Sequence, residues 1–444
     1  MASEWRSTTI GDLCDAGIVR LQTGPFGSQL HAQDYTEVGV PVVPTEAIRD
    51  RQIDHSVLPR ISVAKAEELA RHRLRPGDIL FARRGVQATG HIGYVREAES
   101  GFICGTGAIL LRVNEDSRDI NSHFLSHILA NPVSVEWFKF HAIGATMPNL
   151  NESIIRFFPL LIPPLDEQIA VANILGALDD KIELNRQTNE TLEAIARLLF
   201  KSWFVDFDPV RAKAEGRDPG LATPIADLFP DAFDNTQLGE MPKGWEVGQI
   251  SELADLRREQ VNPLAWPEES FSHYSIPAFD EGQRPKAERG EEIKSLKSVV
   301  FSGSVLLSKL NPEIDRTWLV DVQPAERAIC STEFLVLSPK KLFGREYIYC
   351  LLRSQIFRQT LESFVTGTSK SHQRAQAPAI LGIEVVLPPP LLVEAFAKIV
   401  GPMFDRSLAS RRESRTLASL RDTLLPKLIS GELRVKDGEK FVTV

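Results

Sequence analysis

Three Asn-Pro dipeptides come closest to a catalytic motif in this chain. They stand at Asn131, Asn262 and Asn311 and continue as Asn-Pro-Val, Asn-Pro-Leu and Asn-Pro-Glu. DNA amino-methyltransferases share an Asn/Asp-Pro-Pro-aromatic motif, in which the second proline and the aromatic ring help to clamp a flipped base. None of the three dipeptides supplies these two residues, so the sequence does not encode this chemistry.

Nucleotide, metal and thiol chemistry are equally unsupported. The sequence contains no Gly-x4-Gly-Lys-Ser/Thr phosphate loop, and its nine histidines include no HExxH pair. The Glu and Lys of residues 240–243 are spaced one residue too widely for a metal-dependent nuclease. Four cysteines occur without a CxxC pair, at Cys14, Cys104, Cys330 and Cys350. Neither a zinc site nor a disulfide framework is predicted, and the chain is expected to be a binding protein without a metal or cofactor of its own.

The charge distribution does not identify a partner. A net charge of −8 over 444 residues argues at first against nucleic acid, because phosphate binding normally needs a basic surface. However, residues 201–240 hold four Lys or Arg and eight Asp or Glu, giving −4, whereas residues 49–84 hold nine basic and five acidic residues, giving +4. Most such runs are solvated surfaces, so charge alone decides nothing.

The chain contains an internal duplication. Residues 77–83 resemble residues 303–309, and residues 103–106 resemble residues 329–332, both 226 positions later. The ends of the repeat are marked by Trp5, Ile10, Leu13 and Asp15 against Trp245, Ile250, Leu253 and Asp255, and by Arg186, Leu192 and Leu199 against Arg411, Leu417 and Leu424. The offset drifts from 240 to 225 while the order never changes. Chance matches would scatter, so two copies of one domain are predicted.

Both copies show the same order of elements. Short apolar runs such as residues 40–43, 78–81 and 109–113, broken by Gly and Pro, predict strands. A Pro-Pro break then precedes a long helix, which runs to about Phe204 in the first copy and from roughly Leu392 to Leu425 in the second. Between the copies, residues 206–243 are rich in Asp, Pro and Gly and predict an irregular connector with one short helix.

The two long helices carry the heptad spacing of a coiled coil. The seam of the first consists of Val171, Leu175, Leu178, Ile182, Asn185, Asn189, Leu192, Ala196 and Leu199, and that of the second includes Val400, Met403, Phe404, Leu408, Leu417 and Leu424. Both seams are apolar at their ends and polar in the middle, so pairing the helices would bring two polar sections together and fix the register. The alternative is that each helix packs only on its own globular domain.

Several segments resemble one known family. The run Leu-Ile-Pro-Pro-Leu-Asp-Glu-Gln at residues 161–168, the segments 178–182 and 199–209, and residues 421–431 resemble the central and C-terminal regions of type I restriction-modification specificity subunits. Further likeness lies in residues 24–28, 34–35, 147–151 and 274–279. The resemblance covers nearly the whole chain, and its motifs agree with the independently inferred duplication.

This resemblance implies an α+β fold of two duplicated, mixed α/β target-recognition domains, separated by a pair of long antiparallel coiled-coil helices in a pseudo-two-fold arrangement. The segments expected are recognition domain 1 (residues 1–162), a central helix (163–205), an acidic connector (206–243), recognition domain 2 (244–388), and a C-terminal helix with its tail (389–444). Implied partners are double-stranded DNA, two methyltransferase subunits docked on the helical regions, and restriction-translocase subunits. S-adenosylmethionine, ATP and Mg²⁺ are expected on those partners.

Residues for DNA contact are chosen by type, because loop Arg, Lys, Gln, Asn and Ser side chains contact phosphates and base edges. The candidates are Ser28, Gln29, Arg83, Arg84, Gln87, Lys309, Arg316, Lys370, His372, Gln373 and Arg374. For Arg84 and Arg374 the alternative is an exposed, solubilising charge.

Two other functions stay open at this point. One is a self-contained methyltransferase or nuclease with a duplicated recognition domain, and the other is a coiled-coil scaffold that does not read DNA. The N-terminus lacks a signal peptide, and no segment approaches 18 uninterrupted apolar residues. We therefore expect a cytoplasmic protein that does not contact a membrane.

Overall fold

The computed structural model describes residues 5–144, 146–236, 239–364 and 373–435. The chain forms two compact units, one made of residues 1–184 and 413–444 and the other of residues 185–412. The division falls inside both long helices, so each helix contributes one half to each unit. The segment boundaries predicted from the repeat, which keep each helix whole, stay a prediction.

The first unit is a mixed α/β domain with one half of each long helix. Its strands are β1 (Arg6–Thr9), β2 (Val19–Thr23), β3 (Tyr35–Thr36), β4 (Val40–Val43), β5 (Ile48–Arg49), β6 (Gln52–Ile53), β7 (Arg60–Ile61), β8 (Ile79–Ala82), β9 (Ile92–Tyr94), β10 (Ile103–Cys104), β11 (Ala108–Val113) and β12 (Pro159–Ile162). Its helices are α1 (Ile10–Asp15), α2 (Val63–Glu68), α3 (Ser122–Ala130), α4 (Pro132–His141), α5 (Glu152–Arg156) and the first half of α6 (Leu165–Phe204).

The central sheet of this unit has the order β2-β11-β8-β9, and a smaller sheet has the order β10-β4-β7-β3. Strands β8 and β11 are apolar on both faces because both faces are covered. Ile79 and Phe81 pack with residues of α3, whereas Leu80 packs towards Val43 of the small sheet. Helices α3, α4 and α5 begin where Asn121, Asn131 and Asn151 accept a hydrogen bond from a backbone N–H of the first turn.

The second unit repeats this arrangement. Its strands are β13 (Phe233–Thr236), β14 (Gly239–Pro242), β15 (Glu246–Gln249), β16 (Ala254–Arg257), β17 (Gln260–Val261), β18 (Ser270–Tyr274), β19 (Lys286–Arg289), β20 (Lys297–Val299), β21 (Val305–Ser308), β22 (Thr317–Leu319), β23 (Ala328–Cys330), β24 (Phe334–Pro339) and β25 (Glu384–Leu387). Its helices are α7 (Asp208–Ala214), α8 (Thr223–Ala226), α9 (Ile250–Leu253), α10 (Ile276–Asp280), α11 (Arg345–Leu352), α12 (Gln355–Ser363), α13 (Ala377–Leu381) and the first half of α14 (Pro390–Ile429).

The sheet orders confirm the duplication. The central sheet β16-β24-β21-β22 matches β2-β11-β8-β9 strand for strand, and the pair β15-β25 matches β1-β12. Each small sheet contains one parallel pair, β10 with β4 in the first unit and β23 with β18 in the second. Two domains with one topology are therefore present, as the repeated offsets predict.

The connector between the copies is more ordered than the sequence predicts. Residues 206–243 contain the helices α7 and α8 and the antiparallel strands β13 and β14, so the prediction of an irregular segment with one short helix was wrong. Phe207, Val210, Phe229 and Met241 are buried in the core of the second unit. These apolar residues anchor a segment whose overall composition is acidic and turn-like.

Each unit contains an antiparallel pairing of the long helices. In the first unit Asp179 of α6 pairs with Arg421 of α14, and in the second the Phe200 and Phe396 rings lie 5.9 Å apart. The Asn185 side-chain amide donates to the Ser410 carbonyl oxygen at 3.4 Å, so the polar sections meet as predicted. Helix α14 extends beyond its predicted limits at both ends.

The seams are buried to different degrees. Fully buried are Val171, Leu175, Asn185, Asn189, Ala196, Val400, Phe404 and Leu408, whereas Leu178, Ile182, Leu192, Leu199, Met403, Leu417 and Leu424 are half-buried. Buried seam residues also pack against the globular part of their own unit. In the parts of the chain described, no helix combines the length and apolarity needed to cross a membrane.

Candidate nucleic-acid interface

In the first unit, Arg83 directly follows strand β8 and joins three loops at one corner. Its backbone N–H donates to the Gly107 carbonyl at 2.9 Å, and its carbonyl accepts from Leu150 N–H at 2.7 Å. Its side-chain Nε donates to Oδ1 of Asn149 at 3.0 Å. A Cβ on Gly107 would lie 2.8 Å from the Thr45 side chain, so a larger residue there would force this contact to shift. The corner is thus a closely packed platform.

Two polar side chains extend from this platform into solvent. Arg84 and Gln87 lie on the loop between β8 and β9, and both are exposed. Arg84 pairs through its backbone with Asn149, and its guanidinium forms no ion pair with any residue that the structure describes. An uncompensated guanidinium beside an amide side chain is suited to phosphate and base-edge contacts.

Ser28 and Gln29 lie on the loop after β2 in the same unit. Ser28 is exposed, whereas Gln29 is half-buried. The Gln29 Oε1 atom accepts from the Phe26 backbone N–H at 3.1 Å and from Arg71 at 3.2 Å. Ser28 is therefore available for contact with DNA, while the amide oxygen of Gln29 already accepts two hydrogen bonds within the unit.

The second unit forms the same corner around Lys309. Its N–H donates to the Glu333 carbonyl at 2.8 Å, and its carbonyl accepts from Ala375 N–H at 3.1 Å. These bonds match those of Arg83, as the offset of 226 residues predicts. Arg374 donates through two nitrogens to the Glu333 carboxylate, at 2.8 and 3.1 Å, and remains half exposed. The Gln373 carbonyl accepts from Asn311 N–H at 2.8 Å beside it.

Arg316 lies elsewhere, inside the second unit. It is buried, and it donates to both oxygens of Asp280 at 2.8 and 2.9 Å. Local basicity suggested an exposed cation, but a single sequence does not reveal that Asp280 neutralises it. Lys370 and His372 lie outside the described residues.

Sequence reasoning missed Asn149 and Glu333 as corner residues. Asn149 lies within residues 147–151, which carry part of the family resemblance, so a signal for it was present. Glu333 is acidic and was not considered, although it orients Arg374.

In the described residues no group of three or more His, Cys, Asp or Glu side chains is arranged to hold a metal ion. Burial raises the pKa of the Cys104 and Cys330 thiols to about 12, so both stay protonated at neutral pH.

Comparison with known proteins agrees with an architecture of two repeated domains, each with polar loops at one corner. The family model for the type I restriction modification DNA specificity domain matches residues 2–194. This part of the chain is similar to the specificity subunits of type I restriction-modification systems.

Similarity to proteins with this name extends over most of the chain. The specificity subunit of the type I restriction enzyme MjaIX of Methanocaldococcus jannaschii is 27% identical over 358 residues, which cover 78% of this chain and 76% of the relative. That of HindI from Haemophilus influenzae is 25% identical over 412 residues, 82% and 88% of the two chains. The crystal structure of a type I S subunit from M. genitalium has the same fold, with a TM-score of 0.58, 15% identity and coverage of 96% of each chain.

Proposed function

We propose that this specificity subunit reads a two-part DNA target, with one element contacted by each unit. The observation that carries the proposal is the repeated corner, in which Arg83 and Lys309 follow equivalent strands and make the same backbone hydrogen bonds. Two copies of one surface suit two separate elements. The candidate contacts are Ser28, Gln29, Arg83, Arg84, Gln87, Lys309, Gln373 and Arg374, whereas Arg316 is buried and paired with Asp280.

The chain acts through partners. Two methyltransferase subunits would dock on the helical regions and carry S-adenosylmethionine, and restriction-translocase subunits with ATP and Mg²⁺ would join for cleavage. Because the subunit works on host DNA, we expect it in the cytoplasm.

The helix pair is proposed to set the distance between the two elements. The seam from Val171 to Leu199 covers 29 residues, or about 43 Å at ~1.5 Å per residue. This length exceeds one turn of B-DNA, roughly 34–36 Å. Two recognition domains separated by such helices suit elements about one turn apart on the same side of the duplex, with a few unspecified base pairs between them.

A domain exchange tests the assignment of one element to each domain. Residues 244–386 would be replaced by the corresponding segment of a relative with a different target, and the methylated motif would be sequenced in a host that carries the complete complex. We expect one element to change while the other stays. A change in both elements would show that the domains do not read independently.

The purified subunit distinguishes the two alternative functions. A self-contained methyltransferase would bind S-adenosylmethionine without partners, and a pure scaffold would select no preferred sequence from random duplexes. We expect no binding of S-adenosylmethionine by the subunit alone and a two-part preference in the assembled complex.

A further inference from the structure

A hairpin turn in the first unit places Arg51 in an unusual backbone conformation. Strands β5 and β6 are joined by Asp50 and Arg51 alone, and their φ angles are 49° and 63°. Positive φ at both positions is the pattern of a type I′ turn, whose second residue is preferably Gly. Arg at this position strains the backbone, and such strain persists where surrounding contacts hold the residue in place.

The Arg51 side chain supplies these contacts. Its guanidinium is buried and joins α3 to α6, donating from Nε to the Ser126 hydroxyl at 3.0 Å and pairing with Asp179. It also lies over the Tyr94 ring, 5.6 Å from the centroid. Burial lowers the pKa of Arg51 to about 10, so the group stays cationic at neutral pH. One side chain therefore ties the recognition domain to the long helix.

The same carboxylate binds the second long helix. The Oδ1 atom of Asp179 accepts from Arg421 of α14 at 2.9 Å, while Oδ2 faces Arg51. The Asp179 side chain is only 10% exposed, so water does not replace a missing partner easily. Loss of either guanidinium would still leave the other as counter-ion.

The second unit contains a similar junction around Glu193, 14 residues further along α6. Glu193 pairs with Arg353, which caps the C-terminus of α11, at 2.6 Å and with Arg411 of α14. Arg411 also donates to the Gln283 side chain at 2.8 Å, and Gln283 again has a positive φ, of 56°. In both units a buried carboxylate on α6 is shared between a guanidinium of the recognition domain and a guanidinium of α14.

Buried ion pairs contribute little net stability compared with apolar packing, because desolvation offsets the Coulomb attraction, but they can select one arrangement over others. We infer that Asp179 and Glu193 are positioning residues that hold each recognition domain at a fixed angle on its half of the helix pair. This fixed angle restricts the number of base pairs tolerated between the two DNA elements. The inference rests on the proposed function, since a gap has meaning only for a two-part target.

The variant Arg51→Gly removes one tether with little risk to folding. Gly is the residue that the turn favours, and Asp179 keeps its bond to Arg421. Asp50→Gly is the matched control, because it relaxes the same turn but leaves the guanidinium in place. Each chain would be assembled with its methyltransferase subunits and given duplexes whose gap varies one base pair at a time.

We expect wild type and Asp50→Gly to methylate strongly only the duplex with one particular gap length. In Arg51→Gly, methylation of duplexes whose gap is one base pair shorter or longer should rise about tenfold relative to methylation of the duplex with the native gap. This factor corresponds to ~1.4 kcal/mol. Both elements should stay unchanged, and the thermal unfolding midpoint should stay close to that of wild type. A wild-type complex without any two-part preference would refute the proposed function rather than this inference.

An unchanged gap profile in folded Arg51→Gly would overturn the inference. If that variant fails to fold, Arg353→Met provides the same test in the second unit, where Glu193 keeps Arg411. The matching control there is Arg217→Met, which removes an exposed pair with Glu215 two residues away and, among the described residues, no ion pair to a long helix. Equal gap profiles for these two variants would likewise overturn it.

Discussion

At the scale of single residues, Arg84 and Arg374 differ although both are exposed cations at a corner of their unit. Arg374 is held by Glu333, whereas Arg84 has no ion pair among the described residues. A carboxylate beside a guanidinium orients it but also opposes its attraction to a phosphate. Arg84 is therefore the cleaner probe of DNA contact.

Arg84→Ala should weaken binding of the cognate duplex by about 1–3 kcal/mol if Arg84 reads a base. Stability should change by less than ~0.5 kcal/mol, because the side chain is exposed. Titration of a labelled duplex with the assembled complex measures the affinity. Arg75→Ala is the control, since Arg75 precedes the opposite end of β8 and pairs with exposed Glu115. Equal losses in both variants would indicate a general charge effect.

Two histidines give the first unit a dependence on pH. Burial, reinforced by the charge of Arg51, lowers the pKa of His123 to about 4 and that of His127 well below its ordinary value. The unfolded chain protonates these rings near pH ~6.5. Between about pH 6.5 and 4 the unfolded state binds more protons, so the free energy of unfolding falls as the pH decreases.

Urea unfolding at pH 7 and pH 5 should thus give a lower midpoint at pH 5. His127→Leu should reduce this difference, because a buried ring that must stay neutral is removed. Carboxylates add their own dependence in the same range, so the comparison between variant and wild type carries the test. If the midpoint falls equally between pH 7 and pH 5 in wild type and His127→Leu, this prediction is wrong.

At the scale of elements, Gly176 controls how closely α6 approaches α3. A Cβ at this position would lie 2.4 Å from Cε1 of His123. In an exposed helix, Ala is favoured over Gly by about 1 kcal/mol, but here the crowding should outweigh that preference. Gly176→Ala is expected to destabilise the chain by about 1–3 kcal/mol, measured by urea unfolding.

A glycine on the other long helix provides the comparison. A Cβ on Gly401 would meet nothing closer than a Glu346 oxygen at 4.0 Å, so Gly401→Ala should stabilise by up to about 1 kcal/mol. In a chain with His123→Ala, the cost of Gly176→Ala should disappear. A destabilisation that persists in that double variant would rule out the ring contact as its cause.

Helix periodicity predicted the two long helices and most of their seam, because apolar spacing is a local property of the sequence. The same rule missed the buried charges Asp179 and Glu193. Their burial depends on Arg51 and Arg353, which are far away in sequence and reach α6 only in the folded unit. The burial of Arg316 was missed for the same reason, since its partner Asp280 is distant in sequence.

At the scale of the whole molecule, the duplication was predictable because repeated offsets record it directly. The connector was not, because averaged composition conceals a few well-placed apolar residues such as Phe207 and Phe229. The corners were partly predictable: basic residues at Arg83 and Lys309 were identified by type and offset, but the loops that meet there are separated in sequence by more than twenty residues.

The spacing role of the helix pair is tested by lengthening both helices together. Asn185 lies beside Ser410, so an insertion in α6 alone would displace Glu193 from Arg411. Four residues inserted after Leu184 and four after Arg412, where the two units divide, add about 6 Å to each helix and nearly preserve the helical phase. With base pairs spaced by ~3.4 Å, the unspecified gap should lengthen by one or two base pairs, and both elements should stay the same in methylation mapping. The insertion after Leu184 alone serves as the control and should lower stability without lengthening the gap. If the doubly lengthened chain folds and still methylates sites with the original gap, the helices do not determine the spacing.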